Sequence, residues 1–365
     1  MLKKMNLSVP DYILSIKPYV PGKPIEALER EYGIKKSIKL ASNENPLGPS
    51  PMAVKAIQGA IGKLNRYPDG GGYDLIQNIS EKLSAVPENI VLGNGSDEII
   101  GMLARAFLQP GDEAILPKPS FLMYDIMVRT AGATSVYVPL KSLSIDLDGI
   151  KDKITPRTRM IFINNPNNPT GTIVSKEDFE SFLKNIPLEI VLVVDEAYIE
   201  FVRNEKCLNS IDFINSGRAL VTLRTFSKTY GLAGLRIGYG IMPTEISDLL
   251  NRVRQPFNAS SLAQVGAVAA LKDDAFLRKT INLIHEELDF LYDSLERLEI
   301  KYFPTHANFF LIDVKKDADE VFESMIKQGI IIRSMTSYGY PKYIRVNVGL
   351  HEENVRFIEA LRKII

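Results

Sequence analysis

The chain has 365 residues, of which 45% are hydrophobic and 24% charged, the composition of a globular protein with a sizeable core. Lysine plus arginine equals aspartate plus glutamate at 44 each, so a formal net charge of zero gives no electrostatic reason to expect nucleic acid or an anionic membrane as partner. A single cysteine (Cys207) excludes an internal disulfide, and the three histidines (His285, His306, His351) lack metal-ligand spacing.

The N-terminal stretch carries Pro18, Pro21 and Pro24 and reads as irregular before a short helix at 25–32. Met1-Leu2-Lys3-Lys4 opens no signal-peptide pattern, and no apolar run approaches membrane-spanning length, so the expectation is a cytoplasmic protein. Short apolar runs then alternate with longer helical patterns. Strands are expected at 89–92, 113–116, 134–138, 160–163, 190–194, 220–223 and 237–241. Helices are expected at 97–107, 122–130, 176–185 and 211–215. This alternation predicts βαβ units and a mainly parallel sheet. The runs at 160–163 and 191–194 lack polar alternation, as strands covered on both faces do.

The pattern changes near residue 273. A long helix is expected at 275–298, with apolar residues at helical spacing from Leu277 to Leu298. Strands at 309–313, 330–333 and 343–348 then interleave with helices at 318–327 and 352–363. The expected division is an N-terminal segment (1–40), a large α/β domain (41–273) and a small α+β domain (274–365).

Several segments bear on chemistry. In Thr225-Phe226-Ser227-Lys228-Thr229-Tyr230-Gly231-Leu232-Ala233-Gly234-Leu235-Arg236 a lysine follows an apolar strand, in a loop of small residues. Partial desolvation there lowers an amine's pKa and makes it nucleophilic, as a lysine forming a Schiff base with pyridoxal 5'-phosphate requires. Such a cofactor also needs a cation near its phosphate, which Arg236 could supply.

Asp195 ends the strand Val193-Val194-Asp195, where ligands of open α/β sheets bind, and a carboxylate there could hold a pyridinium nitrogen. Taken alone, the segment reads as an aspartate capping the next turn. Asn164-Asn165-Pro166-Asn167-Asn168-Pro169-Thr170-Gly171 is a rigid turn that would fix the Asn168 amide, or an ordinary turn and no more. Gly93-Asn94-Gly95-Ser96-Asp97 opens a helix after a strand, which suits phosphate binding and equally plain capping by Ser96 or Asp97. It lacks the third glycine of a dinucleotide fingerprint, which weighs against a dehydrogenase.

Together and in this order, these segments resemble the fold type I PLP-dependent aminotransferases. The matches are Gly95-Ser96-Asp97-Glu98, Pro119-Ser120-Phe121, Asn168-Pro169-Thr170-Gly171, Asp195-Glu196-Ala197-Tyr198, Ser227-Lys228 and Arg236. More narrowly, Lys17-Pro18-Tyr19-Val20-Pro21-Gly22-Lys23, Ala41-Ser42-Asn43-Glu44-Asn45-Pro46 and Arg66-Tyr67-Pro68-Asp69 resemble the histidinol-phosphate aminotransferases. The resemblance implies a mainly parallel seven-stranded sheet plus a small α+β domain, with pyridoxal phosphate as cofactor.

It also implies roles. Lys228 bears the cofactor and serves as general base and acid. Asp195 holds the ring nitrogen, and Asn168 and Tyr198 bond the ring hydroxyl. Phe121 stacks on the ring, where many relatives have tyrosine. Ser96, Asp97, Thr225, Ser227 and Arg236 surround the phosphate. Tyr67 reaches the neighbouring subunit's phosphate, which makes the expected assembly a homodimer. Tyr19, Arg333 and Arg345, with Asn168, face the substrate. The implied reaction exchanges the amino group between histidinol phosphate and 2-oxoglutarate, giving imidazole-acetol phosphate and glutamate in histidine biosynthesis. Alternatives are a threonine-phosphate decarboxylase-like enzyme, an aromatic or broad-specificity aminotransferase, and a non-catalytic PLP-binding regulator, for which no DNA-binding unit is visible.

Overall fold

The computed structural model describes residues 8–18, 30, 33 and 36–365. Tyr19 and the short helix expected at 25–32, apart from Arg30, lie outside the described residues. The first strand, β1 (Ile38–Lys39), precedes the seven that build the main sheet: β2 (Ile90–Gly93), β3 (Glu113–Lys118), β4 (Thr134–Pro139), β5 (Thr158–Asn164), β6 (Val191–Asp195), β7 (Leu220–Thr225) and β8 (Gly238–Ile241). Their order is β2-β8-β7-β6-β5-β3-β4. All pairings are parallel except those of β8, which runs opposite to both β2 and β7. All seven strands expected between residues 89 and 241 are present in this one sheet.

The unbroken apolar runs explain the layering. Every residue of β6 and β7 is buried, because helices cover both faces. One core centres on Ile161, Ile163, Leu192 and Val194, and the other on Met160, Phe162, Val193 and Val221. Alternate side chains of one strand feed opposite cores, and each fully buried Val, Ile or Phe contributes roughly 1.5–3 kcal/mol. Since β2, β5, β6 and β7 all run one way, Gly93, Asn164, Asp195 and Thr225 end at the same sheet edge. The register sets Asn164 beside Asp195 and Asp195 beside Leu223.

A third core lies against a four-stranded antiparallel sheet formed by β9 (Tyr302–Phe303), β10 (Phe309–Asp313), β12 (Arg333–Ser334) and β13 (Tyr343–Asn347). Helices Asp274–Arg297, Ala318–Lys327 and His351–Ile364 cover it. The separate pair β1 and β11 (Ile330–Ile331) is parallel and brings Ile38 and Leu40 into this core.

Some expectations shift. The strand expected at 330–333 is divided: Ile330–Ile331 pairs with β1, and Arg333–Ser334 pairs with β13. The helix expected at 211–215 is a 3-10 turn, Ser210–Phe213. Its first residue is tied down by Glu196, whose Oε1 accepts from both the N–H and the hydroxyl of Ser210. Helices Pro51–Ala60, Tyr73–Leu83, Leu147–Asp152, Thr244–Val253 and Ser261–Leu271 are not among the elements expected from the sequence. The last is rich in small apolar residues with no single stripe to signal it. Among the described residues no helix is long and apolar enough to cross a membrane.

Candidate active site

A cavity of about 250 Å³ opens at the shared strand edge, and Lys228, Asp195, Asn168, Tyr198, Phe121, Ser96, Asp97, Thr225, Ser227 and Arg236 all line it. The Lys228 amine donates to the Ser42 carbonyl at 3.3 Å and lies 5.7 Å from the Tyr198 ring. Burial first, then the Arg345 guanidinium, pulls its pKa down to about 8.

Asp195 is buried, with Oδ2 accepting from the Tyr124 hydroxyl at 2.6 Å and Oδ1 from the Ala197 N–H at 3.1 Å. Burial pushes its carboxyl up to about 6, and the Tyr124 bond opposes that rise. The Tyr198 hydroxyl accepts from the side-chain amides of Asn43 (3.0 Å) and Asn168 (3.2 Å). Burial pushes that hydroxyl up to about 12, so it remains a donor at neutral pH. The rigid turn does hold Asn168, because its N–H donates to Asn164 Oδ1 at 2.7 Å.

One end of the cavity suits a phosphate. Helix Ser96–Phe107 begins there, capped by Gly95, which brings no side-chain acceptor to the first-turn N–H groups. Gly95 has φ +77°, and a Cβ there would come within 2.4 Å of Arg236 Nη2. Gly238 serves the same approach, since a Cβ on it would stand 2.6 Å from the Ser96 nitrogen. Glycine at both positions lets the arginine and the helix start converge. Arg236 itself is only loosely engaged, 3.6 Å from Asp97 and donating to the Ala233 carbonyl. Thr225 and Ser227 bond each other at 3.0 Å through their hydroxyls. An amine of lowered pKa at one wall, a buried carboxylate and a cationic helix terminus in one cavity fit pyridoxal phosphate.

Arg345 points to the same region. It donates to Asn168 Oδ1 at 2.6 Å and to the Ala41 carbonyl at 2.8 Å, and packs 5.1 Å from the Phe309 ring centre. Arg333 stands opposite Arg345 in the β12–β13 register. It lines an adjoining cavity of about 680 Å³ that shares Phe121 with the first. Tyr67 is not brought to this chain's own cavity. It is 83% exposed and stacks on Phe257 with ring centres 4.7 Å apart.

Asn43, Ser42 and Tyr124 contribute to the site without a role expected from the sequence. Asn43 and Ser42 lie within Ala41-Ser42-Asn43-Glu44, a string quoted for its resemblance alone. Tyr124 sits on the helix Leu122–Thr130 with nothing in its neighbours to mark it.

Residues 35–361 match the aminotransferase class I and II family. The chain belongs to that family. It is 49% identical over 354 residues to a histidinol-phosphate aminotransferase of Moorella thermoacetica, covering 97% of this chain and 92% of the relative. It is 48% identical to the enzyme of that name from Desulfotalea psychrophila, covering 98% and 95%. A crystal structure of histidinol-phosphate aminotransferase from Sinorhizobium meliloti, in complex with pyridoxal-5'-phosphate, superposes with a TM-score of 0.92 at 27% identity and covers 100% of both chains.

Proposed function

We propose that the protein is a pyridoxal-phosphate-dependent aminotransferase that exchanges the amino group between L-histidinol phosphate and 2-oxoglutarate, in histidine biosynthesis. The observation that carries the chemistry is the convergence of Lys228 and Asp195 in one cavity. The names of near-full-length relatives at 49% and 48% identity support the substrate.

Bound there, pyridoxal phosphate supplies a carbonyl that condenses with amines and a ring that accepts electron density. Lys228, with a pKa near 8, can give up and take back a proton near neutral pH, which suits a general base and acid. Asp195 keeps a proton on the ring nitrogen, and Asn168 and Tyr198 fix the ring hydroxyl. Ser96, Asp97, Thr225, Ser227 and Arg236 form the phosphate cup. Phe121 covers a ring face, for which only its π-surface is needed.

One substrate anion is a phosphate and the other a pair of carboxylates. Arginine forks hold either, which favours Arg345 and Arg333, together with Tyr19, as the substrate contacts. The exposure of Tyr67 supports a homodimer in which it completes the partner's phosphate cup. The separate core against the four-stranded sheet, which Ile38 and Leu40 join, supports a small domain (274–365) on which an N-terminal segment (1–40) packs, beside a large domain (41–273). A cytoplasmic location agrees with the lone cysteine.

The substrate is tested by mixing the pyridoxal-phosphate-loaded protein with histidinol phosphate, threonine phosphate and phenylalanine in turn. Fast conversion to the pyridoxamine form by histidinol phosphate alone is expected. Preferential conversion by phenylalanine, or carbon dioxide release from threonine phosphate, would overturn the assignment.

A further inference from the structure

We propose that Tyr124 is a positioning residue whose hydroxyl orients the Asp195 carboxylate toward the ring nitrogen of the cofactor. The inference rests on the reading of Asp195 given above and extends it to a side chain outside the cavity lining.

The geometry is specific. Tyr124 is fully buried, and its hydroxyl donates to Asp195 Oδ2 at 2.6 Å, a length typical of a hydrogen bond to an ionised carboxylate. Its ring is clamped: it stacks on Phe162 with centres 4.7 Å apart and planes 16° from parallel, and it meets Phe121 edge-on at 5.5 Å and 83°. The Ala197 N–H holds the other carboxylate oxygen. Asp195 is therefore gripped at both oxygens and has no freedom to turn from the cavity it lines. Through Phe121, the same tyrosine also touches the residue assigned to the ring face, so one rigid side chain ties the nitrogen partner to the stacking partner.

Electrostatics supply the need. Burial disfavours a charged Asp195, and the carboxylates of Asp97 and Glu196 add to that. A hydroxyl donor is the largest influence the other way. The phenol is itself raised well above its ordinary range by burial and by Asp195. It therefore stays protonated and donates wherever the enzyme operates.

The test compares two cofactors on the full-length apoprotein: pyridoxal 5'-phosphate and its 1-deaza analogue, in which C–H replaces the ring nitrogen. Affinities are read by absorbance and fluorescence titration, with a melting curve for each protein. The wild type is expected to prefer pyridoxal phosphate. Tyr124→Phe should weaken pyridoxal phosphate binding by roughly tenfold and leave the deaza analogue unchanged.

Equal weakening of both ligands would mean a packing role, and no change in either would mean no role; both results overturn the proposal. A wild type indifferent to the ring nitrogen would instead overturn the reading of Asp195 itself, and the proposal with it. Tyr124→His, which keeps a ring N–H donor, provides the same comparison should the phenylalanine variant not fold. It is expected to retain part of the preference, and a complete loss would count against the donor role.

Discussion

Arg224 and Arg236 flank the same loop, yet the fold treats their charges in opposite ways. Arg224 is buried, and its Nε and Nη2 reach Glu196 Oε2 at 3.0 and 2.8 Å, with Asn209 Oδ1 on Nη2 at 2.8 Å. Glu196 is completed by Ser210. That pair leaves little for a ligand to bind. Arg236 is half-exposed, 3.6 Å from its carboxylate, on a residue held at φ +54° beside a helix start. A charge fully partnered inside the protein serves the fold. A charge left loosely partnered at a cavity mouth is available to an anion.

Removing the buried partner should have the largest effect. Arg224→Ala strands Glu196 without its cation, and breaking such a pair costs about 3–5 kcal/mol. Denaturant unfolding of the apoprotein should register that loss. A change below about 1 kcal/mol would break the contrast.

Lys228 sharpens it from the other side, as a charge the fold tolerates at a cost. Its folded pKa near 8 lies below the ordinary 10.5, so between those values the unfolded chain binds more protons and stability rises with pH. Below pH 8 the penalty is fully present, on the order of 3 kcal/mol, and above about 10.5 it is gone. Apoprotein carrying Lys228→Met should therefore unfold at higher denaturant than wild type at pH 7, with the two curves converging toward pH 10.5. A methionine variant less stable at pH 7 would contradict the depressed pKa.

Arg236→Ala should barely alter unfolding, as expected for an exposed pair worth at most about 1 kcal/mol. Pyridoxal phosphate affinity should fall by roughly tenfold or more, since hydrogen bonds to charged groups contribute about 1.5–3 kcal/mol. Equilibrium titration of the apoprotein checks it, and unchanged affinity would remove Arg236 from the phosphate cup.

The contrast between the two arginines also marks what a linear reading can and cannot reach. The sheet was legible because unbroken apolar runs such as 191–194 have no other stable use, and Asp195 was legible because it ends one. Arg236 stood out through the lysine loop it closes. Arg224 carried no signal, because its partners Glu196 and Asn209 come from elsewhere in the chain. Tyr124 was missed for the same reason: its bond to Asp195 spans 71 positions, and helix periodicity explains its burial without it. The Ser261–Leu271 helix escaped because small residues on all sides leave no stripe.

The most direct test of the account is to treat the pyridoxal-phosphate-loaded protein with borohydride, digest it and locate the modified peptide by mass spectrometry. A reduced pyridoxyl group on Lys228, and loss of that label together with activity in Lys228→Ala, is the predicted result. A label on a different lysine, or a Lys228→Ala protein that still transfers amino groups at an appreciable rate, would contradict it.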